Sequence, residues 1–235
     1  MFVLNRNRTL AEWDLATREC LASPMLNSKA NDGIAETQSF DRTVSRLGVT
    51  GIITAGCYDL RANKPLWEQV DLKNRGNCIA ELSPDGALFA LARRSWMVRI
   101  LDAASGKVLR TIDGYEGTVT ALAFSPDSKT LVAATSGDTL YWWDMASGVL
   151  RKRLAYPMQP QAMMAISADG RWLAVASKFT REREYTVGVF AFDTGDLRWE
   201  VRAKSEGYAN ALALSPDGRV LLVGAPLRID TWHLE

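Results

Sequence analysis

Ala121-Leu-Ala-Phe-Ser-Pro-Asp-Ser-Lys-Thr-Leu-Val-Ala-Ala134 is the stretch of sequence that decides the fold. Two short apolar runs flank the polar tetrapeptide Ser125–Ser128. Pro presets the backbone of the first corner of a tight turn, and Asp accepts local backbone hydrogen bonds. The stretch therefore predicts a strand, a turn and a second strand.

The same turn occurs in three further places, with a serine at 83, 167 and 215, and Gly stands at its fourth position in all three. The steps between the four serines are 42, 42 and 48 residues. A period of about 40 to 45 residues is typical of repeats that contribute four strands each. The chain therefore consists of repeated all-β units.

A second marker ends the third predicted strand of each unit, and it is an aromatic or apolar residue usually followed by Asp. Its copies are Trp13-Asp14, Tyr58-Asp59, Leu101-Asp102, Trp143-Asp144, Phe192-Asp193 and Trp232-His233. The turn Asp precedes the second residue of this marker by 17, 17, 24 and 16 residues in the four units that have both. The longer separation predicts an insertion of about seven residues at 178–185.

These two markers together resemble the WD-repeat family, whose blades are four-stranded antiparallel sheets arranged around an axis. The resemblance implies an all-β β-propeller with about five to six blades present, and it leaves open whether the ring closes. We predict one domain over residues 1–235. Its predicted parts are a partial blade 1–26, blades at about 27–71, 72–113, 114–156 and 157–203, and a partial blade 204–235.

The chain also departs from the family pattern. A Gly-His pair often precedes the first strand of a WD repeat, and its His joins a hydrogen-bonded network. Here Gly114-Tyr115 and Gly207-Tyr208 occupy those places, and Asp138 alone matches a member of the network. We therefore predict that the blades are held mainly by apolar packing.

The alternative to the WD-repeat family is the group of quinoprotein-like propellers. This group is a near relative and includes the YVTN type. Trp67 and Trp199 resemble the fourth-strand tryptophans of that group. An enzyme of this type implies metal ligands beside a pair of adjacent cysteines, whereas Cys20, Cys57 and Cys78 are far apart in the sequence. We therefore predict no cofactor and interpret both tryptophans as inter-blade packing.

Catalytic groups are scarce. His233 is the one imidazole and lies beside the C-terminus, so a Ser-His-Asp arrangement has a single base in an unsuitable place. The repeated Asp85, Asp127, Asp169 and Asp217 are simplest as turn residues rather than metal ligands. We predict no catalytic, cofactor-binding or metal-binding residues and no enzyme activity.

The net charge and the N-terminal sequence exclude further classes of protein. Lys and Arg number 28 against 27 for Asp and Glu, and a net charge of +1 offers no bulk attraction for nucleic acid or an anionic membrane. The N-terminus has too short an apolar run for a secretory signal. We expect a cytoplasmic protein with neither nucleic acid nor membrane as a partner.

The loops carry the predicted function. In the WD-repeat arrangement, the connections between second and third strands and those between blades share the usual partner-binding face. That face would collect Arg, Trp and Tyr, the residue types enriched in interface hot spots. The predicted residues are Arg93, Arg94, Trp96, Tyr115, Arg181, Arg183, Tyr185 and Tyr208.

We therefore predict a non-catalytic scaffold or regulatory propeller that binds a protein or peptide partner. Ordinary solvated loop residues are the alternative interpretation of the same side chains. Other hypotheses are a structural propeller that self-associates and a quinoprotein-like enzyme or cofactor-binding protein. Additional blades or domains from a longer chain are a further source of partners. The turn style resembles bacterial members of the family.

Overall fold

A computed structural model describes residues 2–4, 10–13, 17, 19–22, 37–40, 42–43, 45–50, 55–69, 78–92, 97–157, 162–177, 184–204, 209–225 and 228–234. These residues form antiparallel strands in six separate sheets, and helix is absent from them. Consequently no helix among them has the length and apolar character needed to cross a bilayer. The predicted all-β class is confirmed.

Each sheet is one blade, numbered here in chain order. Blade 1 contains β1 (Phe2–Leu4), β2 (Leu10–Trp13) and β3 (Cys20–Ala22). Blade 2 contains β4 (Thr37–Phe40), β5 (Arg46–Thr50), β6 (Ala55–Asp59) and β7 (Lys64–Gln69). Blade 3 contains β8 (Ile79–Leu82), β9 (Leu88–Ala92), β10 (Val98–Asp102) and β11 (Val108–Ile112).

The second half of the chain repeats this order. Blade 4 contains β12 (Val119–Phe124), β13 (Thr130–Thr135), β14 (Thr139–Asp144) and β15 (Leu150–Ala155). Blade 5 contains β16 (Ala162–Ile166), β17 (Trp172–Ser177), β18 (Glu184–Ala191) and β19 (Leu197–Lys204). Blade 6 contains β20 (Ala211–Leu214), β21 (Val220–Ala225) and β22 (Arg228–His233).

The chain folds as two compact units, Met1–Thr111 and Ile112–Glu235. Within the first unit, β4 lies beside β8, and within the second, β12 lies beside β16 and β16 beside β20. The first strands of successive blades are thus neighbours inside each unit. This is the arrangement expected of propeller blades.

Apolar packing fills the space between blades of one unit. In the second unit, Val132 and Trp142 of blade 4 pack with Phe190 of blade 5. Val187 of blade 5 and Val223 of blade 6 belong to the next cluster. Because strand side chains alternate between the two faces of a sheet, each blade contributes one set of residues to each neighbour.

A β-bulge between the last two strands of the sheet marks equivalent residues in four blades. The register shifts immediately before Trp13, Tyr58, Trp143 and Phe190. In blade 6, Trp232 pairs with Leu221 as Trp143 pairs with Leu131. The predicted equivalence of Trp13, Trp143 and Trp232 is therefore confirmed.

The strand pairing in blade 5 shows that one predicted marker, Phe192-Asp193, is misplaced by two residues. Phe190, rather than Phe192, pairs with Leu173 at the position that Trp143 occupies in blade 4. The strand therefore ends at Ala191, 22 residues after the turn Asp169, and the corresponding separation in blade 4 is 17. Blade 5 is longer by five residues instead of the predicted seven.

Candidate protein-interaction surface

Two connections of blade 4 meet at one end of its sheet. Residues 113–118 precede β12, and residues 136–138 join β13 to β14. The backbone N–H of Ser136 donates to the carbonyl of Thr118 at 2.8 Å, and the N–H of Thr118 donates to Ser136 Oγ at 3.0 Å. These residues, 113–118 and 136–138, are called the blade 4 loop surface, and the hydrogen bonds hold its two parts in one arrangement.

The blade 4 loop surface exposes carboxylates. Asp113, Glu116 and Asp138 are exposed, and the N–H of Glu116 is itself fixed by donating to the Tyr141 hydroxyl at 3.1 Å. Asp138 has a φ of 53°, a left-handed conformation that Asp adopts more readily than most residues. Sequence reasoning concentrated on cationic and aromatic loop residues and missed these three.

Tyr115 begins on this surface but extends into the interior. Its side chain is buried, and its ring meets the Trp143 ring at a centroid distance of 5.8 Å in a nearly perpendicular arrangement. Among the residues described, its hydroxyl has no hydrogen-bond partner. Burial, with a smaller contribution from Asp113, raises the pKa of Tyr115 to about 12. The ring is a packing element in the place where the family often has a His.

Tyr185 is buried as well. Its hydroxyl donates to Asp230 Oδ2 at 2.5 Å, and Arg228 forms an ion pair with the same carboxylate at 3.0 Å. Burial and the hydrogen bond to Asp230 raise the pKa of Tyr185 to about 12. Tyr185 therefore connects blade 5 to blade 6, and we omit it, like Tyr115, from the candidate surface.

The other predicted surface residues lie outside the described residues. They are Arg93, Arg94, Trp96, Arg181, Arg183 and Tyr208. Most of the predicted 178–185 insertion is outside as well.

The four Asp-containing turns share one hydrogen-bond pattern. In blade 4, Ser125 Oγ donates to Asp127 Oδ1 at 2.6 Å and accepts from the N–H of Thr130 at 2.9 Å. The equivalent Ser-Asp pairs at 83 and 85, 167 and 169, and 215 and 217 have donor to acceptor distances of 2.6 to 2.7 Å. Each Asp is thus a turn residue, as predicted from its position.

These hydrogen bonds favour the ionised carboxylates. The Ser125 hydroxyl lowers the pKa of Asp127 in spite of partial burial, and the Ser215 hydroxyl lowers that of Asp217. In the turn after β14, the backbone N–H and the hydroxyl of Ser147 lower the pKa of Asp144 to about 2. Asp127, Asp144 and Asp217 therefore remain charged at neutral pH and stabilise their turns.

Glu81 is a carboxyl group whose pKa is raised. It lies on β8 between Ala80 and Leu82, which are buried in the core between blades 2 and 3. Burial raises the pKa of Glu81 to about 8. No sequence pattern distinguishes this Glu, because a single polar residue in a short strand usually indicates the solvent side.

Both tryptophans assigned to packing contact neighbouring elements. Trp67 of blade 2 donates its Nε1–H to the carbonyl of Ala103 in blade 3 at 3.0 Å and meets Phe89 edge to face. Trp199 packs against Trp172 of the same blade at a centroid distance of 4.9 Å, and both indoles border the apolar cluster shared by blades 5 and 6. A direct inter-blade contact is thus observed for Trp67, and Trp199 lies at the edge of an inter-blade cluster.

Comparisons with known proteins identify the repeat. Residues 106–144 match the family model described as WD domain, G-beta repeat. The chain is 30% identical over 120 residues to an uncharacterized WD repeat-containing protein of Synechocystis, covering 51% of this chain and 32% of the relative. It is 33% identical over 88 residues to human WD repeat-containing protein 36, covering 37% of this chain and 10% of the relative.

Autophagy-related protein 16 of Arabidopsis thaliana is a further relative, 27% identical over 127 residues, with 54% of this chain and 24% of that protein covered. The repeated turns, the four-stranded blades and these matches support the assignment of the chain to the WD-repeat family. The matched part spans a third or less of the length of each of these relatives.

Proposed function

We propose that this chain is a non-catalytic WD-repeat scaffold that binds a protein or peptide partner through its loop surfaces. WD-repeat relatives support a general role in protein interaction. The observation that carries the proposal is the blade 4 loop surface, where backbone and hydroxyl hydrogen bonds fix two loops while Asp113, Glu116 and Asp138 stay exposed. A surface that is ordered before binding loses less conformational entropy when the partner docks.

The proposed binding residues extend beyond this surface. Arg93, Arg94 and Trp96 belong to the second-to-third strand connection of blade 3, and Arg181 and Arg183 to that of blade 5. Arg and Trp combine large contact area with multiple hydrogen-bond donors, which suits hot spots. Tyr208, which precedes blade 6 in the sequence, is the last of the proposed binding residues.

The remaining parts of the proposal come from the sequence. The proposed non-catalytic role is supported by the single His, which lies beside the C-terminus and supplies no imidazole base for a Ser-His or Cys-His arrangement at the loops. The near-zero net charge favours protein over nucleic acid or membrane as the partner. We also propose a cytoplasmic location.

Affinity capture followed by calorimetry tests the proposal. Trp96→Ala, Arg183→Glu and Glu116→Lys should each weaken binding of the captured partner by at least about tenfold, or about 1.4 kcal/mol. Lys129→Glu is the matched control, because Lys129 is exposed in the turn at the opposite end of the blade 4 strands. Thermal melts establish that all four variants are folded. Unchanged affinity in all three loop variants would refute the loop surfaces as the binding region.

A further inference from the structure

The last strand of blade 4, β15, has one edge without a strand beside it among the described residues. The backbone N–H of Tyr156 donates to the carbonyl of Asp138 at 2.9 Å, so these two residues form a hydrogen-bonded pair at the end of β14 and β15. Hydrogen-bonded and non-hydrogen-bonded pairs alternate along an antiparallel ladder. The backbone N–H and C=O groups of Arg153 and Ala155 therefore point away from β14. These two residues are called the β15 edge.

The equivalent edge of blade 5 is balanced within the chain. Glu200 and Arg202 correspond in register to the two residues of the β15 edge. They form an ion pair with each other at 2.8 Å, and the Arg228 guanidinium donates to the carbonyl of Lys204 at the end of β19. Charge pairing and a covered carbonyl are means by which proteins protect an edge strand. Both edges lie within the second compact unit, Ile112–Glu235.

The β15 edge lacks this balance. Arg153 is exposed, and within the described part of the chain it takes part in no ion pair. Ala155 is exposed as well and stands where blade 5 has the ion-pair partner of Glu200. The sequence contains no Asp or Glu between Met145 and Ala168, so no carboxylate adjacent in sequence serves Arg153. The β15 edge thus presents a guanidinium beside outward-facing backbone groups.

An extended segment that carries carboxylates fits this edge. Alternate residues of a strand are about 6.7 Å apart, so an added strand can pair with the backbone groups of both Arg153 and Ala155. A guanidinium forms its strongest hydrogen bonds with carboxylates. A second β15 edge would instead bring two cationic side chains together, and like charges on neighbouring strands are destabilising. Leu154 points to the opposite face, where it packs against the core between blades 4 and 5, so an apolar residue suits the alternate positions.

We propose that the β15 edge binds an extended acidic segment of a partner protein, which adds to blade 4 as a fifth strand. Backbone hydrogen bonds at Arg153 and Ala155 attach the segment, and a carboxylate beside Arg153 selects for acidic sequences. An exposed ion pair contributes little to affinity, so the binding is weak. This inference goes beyond the loop-mediated binding proposed above, because it rests on a strand edge and not on the loop surfaces.

Fluorescence anisotropy with a labelled peptide, Gly-Glu-Val-Glu-Val-Glu-Thr-Gly, tests the proposal. Ala155→Glu gives Arg153 a carboxylate from its own strand, as Arg202 gives Glu200 its partner in blade 5. This variant should therefore bind the peptide at least about fivefold more weakly. Ala155→Gln is the matched control, because it has the same size without the charge and should keep the affinity of the unmodified protein. Thermal melts establish that both variants are folded.

Amide hydrogen exchange shows whether the peptide pairs with the strand. In the free protein the N–H groups of Arg153 and Ala155 should exchange fast, whereas those of Lys152 and Leu154, which point towards β14, should exchange slowly. Adding the peptide should slow exchange at Arg153 and Ala155 and leave the other two unchanged. This pattern distinguishes strand addition from an electrostatic contact with the side chains alone.

Four results would overturn the proposal. They are no binding of the peptide, equal affinity for a peptide in which Lys replaces each Glu, equal affinities of Ala155→Glu and Ala155→Gln, and binding without slower exchange at the β15 edge. None of these results bears on binding at the loop surfaces, whose variants are different residues.

Discussion

The indole of Trp172 in blade 5 lies directly over Gly218 in the turn of blade 6, so a Cβ on Gly218 would overlap Trp172 Cδ1. Gly218 also has a φ of 71°, which disfavours any residue with a side chain. The turn of one blade thus fits against the neighbouring blade only without a side chain at this position. Gly106 and Trp67 have the same relationship between blades 3 and 2.

Gly218→Ala should destabilise the protein by about 3 kcal/mol, through overpacking against Trp172 added to the strain of a left-handed backbone. Gly170→Ala is the matched control, because Gly170 occupies the equivalent turn with a φ of 74° and ordinary contact distances to Pro126. Its loss should be about 1 kcal/mol. Urea unfolding of both variants provides the comparison, and equal losses would contradict the packing explanation.

Ser125→Ala should cost about 1 to 2 kcal/mol, because it removes one hydrogen bond to Asp127 and one from Thr130 at a buried position. Ser215→Ala removes the same bonds in a less buried turn and should cost less. The pKa of Asp127 should rise in Ser125→Ala, which an NMR titration of the carboxyl carbon measures. An unchanged pKa would show that the hydroxyl does not stabilise the carboxylate.

Acid should destabilise the protein through the turn carboxylates. Because the pKa values of Asp127, Asp144 and Asp217 are lower in the folded than in the unfolded chain, the contribution of these three carboxylates to stability is present above about pH 4 and is lost as the pH falls towards 2. Asp144→Asn should reduce this loss, since it removes the group whose pKa is about 2. Melting temperatures between pH 5 and pH 2 measure the effect, and parallel curves for both proteins would exclude Asp144 as a source.

Glu81 should act in the opposite direction. Its pKa of about 8 exceeds the ordinary value of 4.5, so the folded state retains a proton that the unfolded state loses. Stability should therefore fall as the pH rises from about 4.5 through 8. Glu81→Gln keeps the shape without ionisation, so its melting temperature should fall less between pH 6 and pH 9 than that of the unmodified protein. An equal fall in both proteins would assign the effect to other groups.

Sequence reasoning succeeded where a local backbone requirement recurs. The Ser-x-Asp turns could be predicted because one hydrogen-bond pattern and one positive φ are needed in each copy, even at Ser128, where φ is 62°. The sequence pattern places the marker of blade 5 at Phe192, because Asp193 follows it. The structural anchor is Gly195, whose φ of 81° matches that of Gly106 and Gly148. Alignment on this glycine selects Phe190.

The candidate surface was less predictable. Tyr115 and Tyr185 lie close in sequence to connections between strands, and such connections are usually exposed. Both rings are nevertheless buried, because Tyr115 packs against Trp143 and Tyr185 donates a hydrogen bond to Asp230. The direction of a side chain depends on packing between blades, which a single sequence does not encode locally. The acidic blade 4 loop surface became evident only when residues 113–118 and 136–138 were placed together.

Hydrogen exchange of the chain with and without its captured partner tests the central claim of loop-mediated binding most directly. The account predicts slower exchange at residues 113–118 and 136–138, together with the loops that contain Trp96 and Arg183. It predicts no change at residues 125–130 and 144–149, the turns at the opposite end of blade 4. Protection confined to those turns, or no protection at either end, would contradict it.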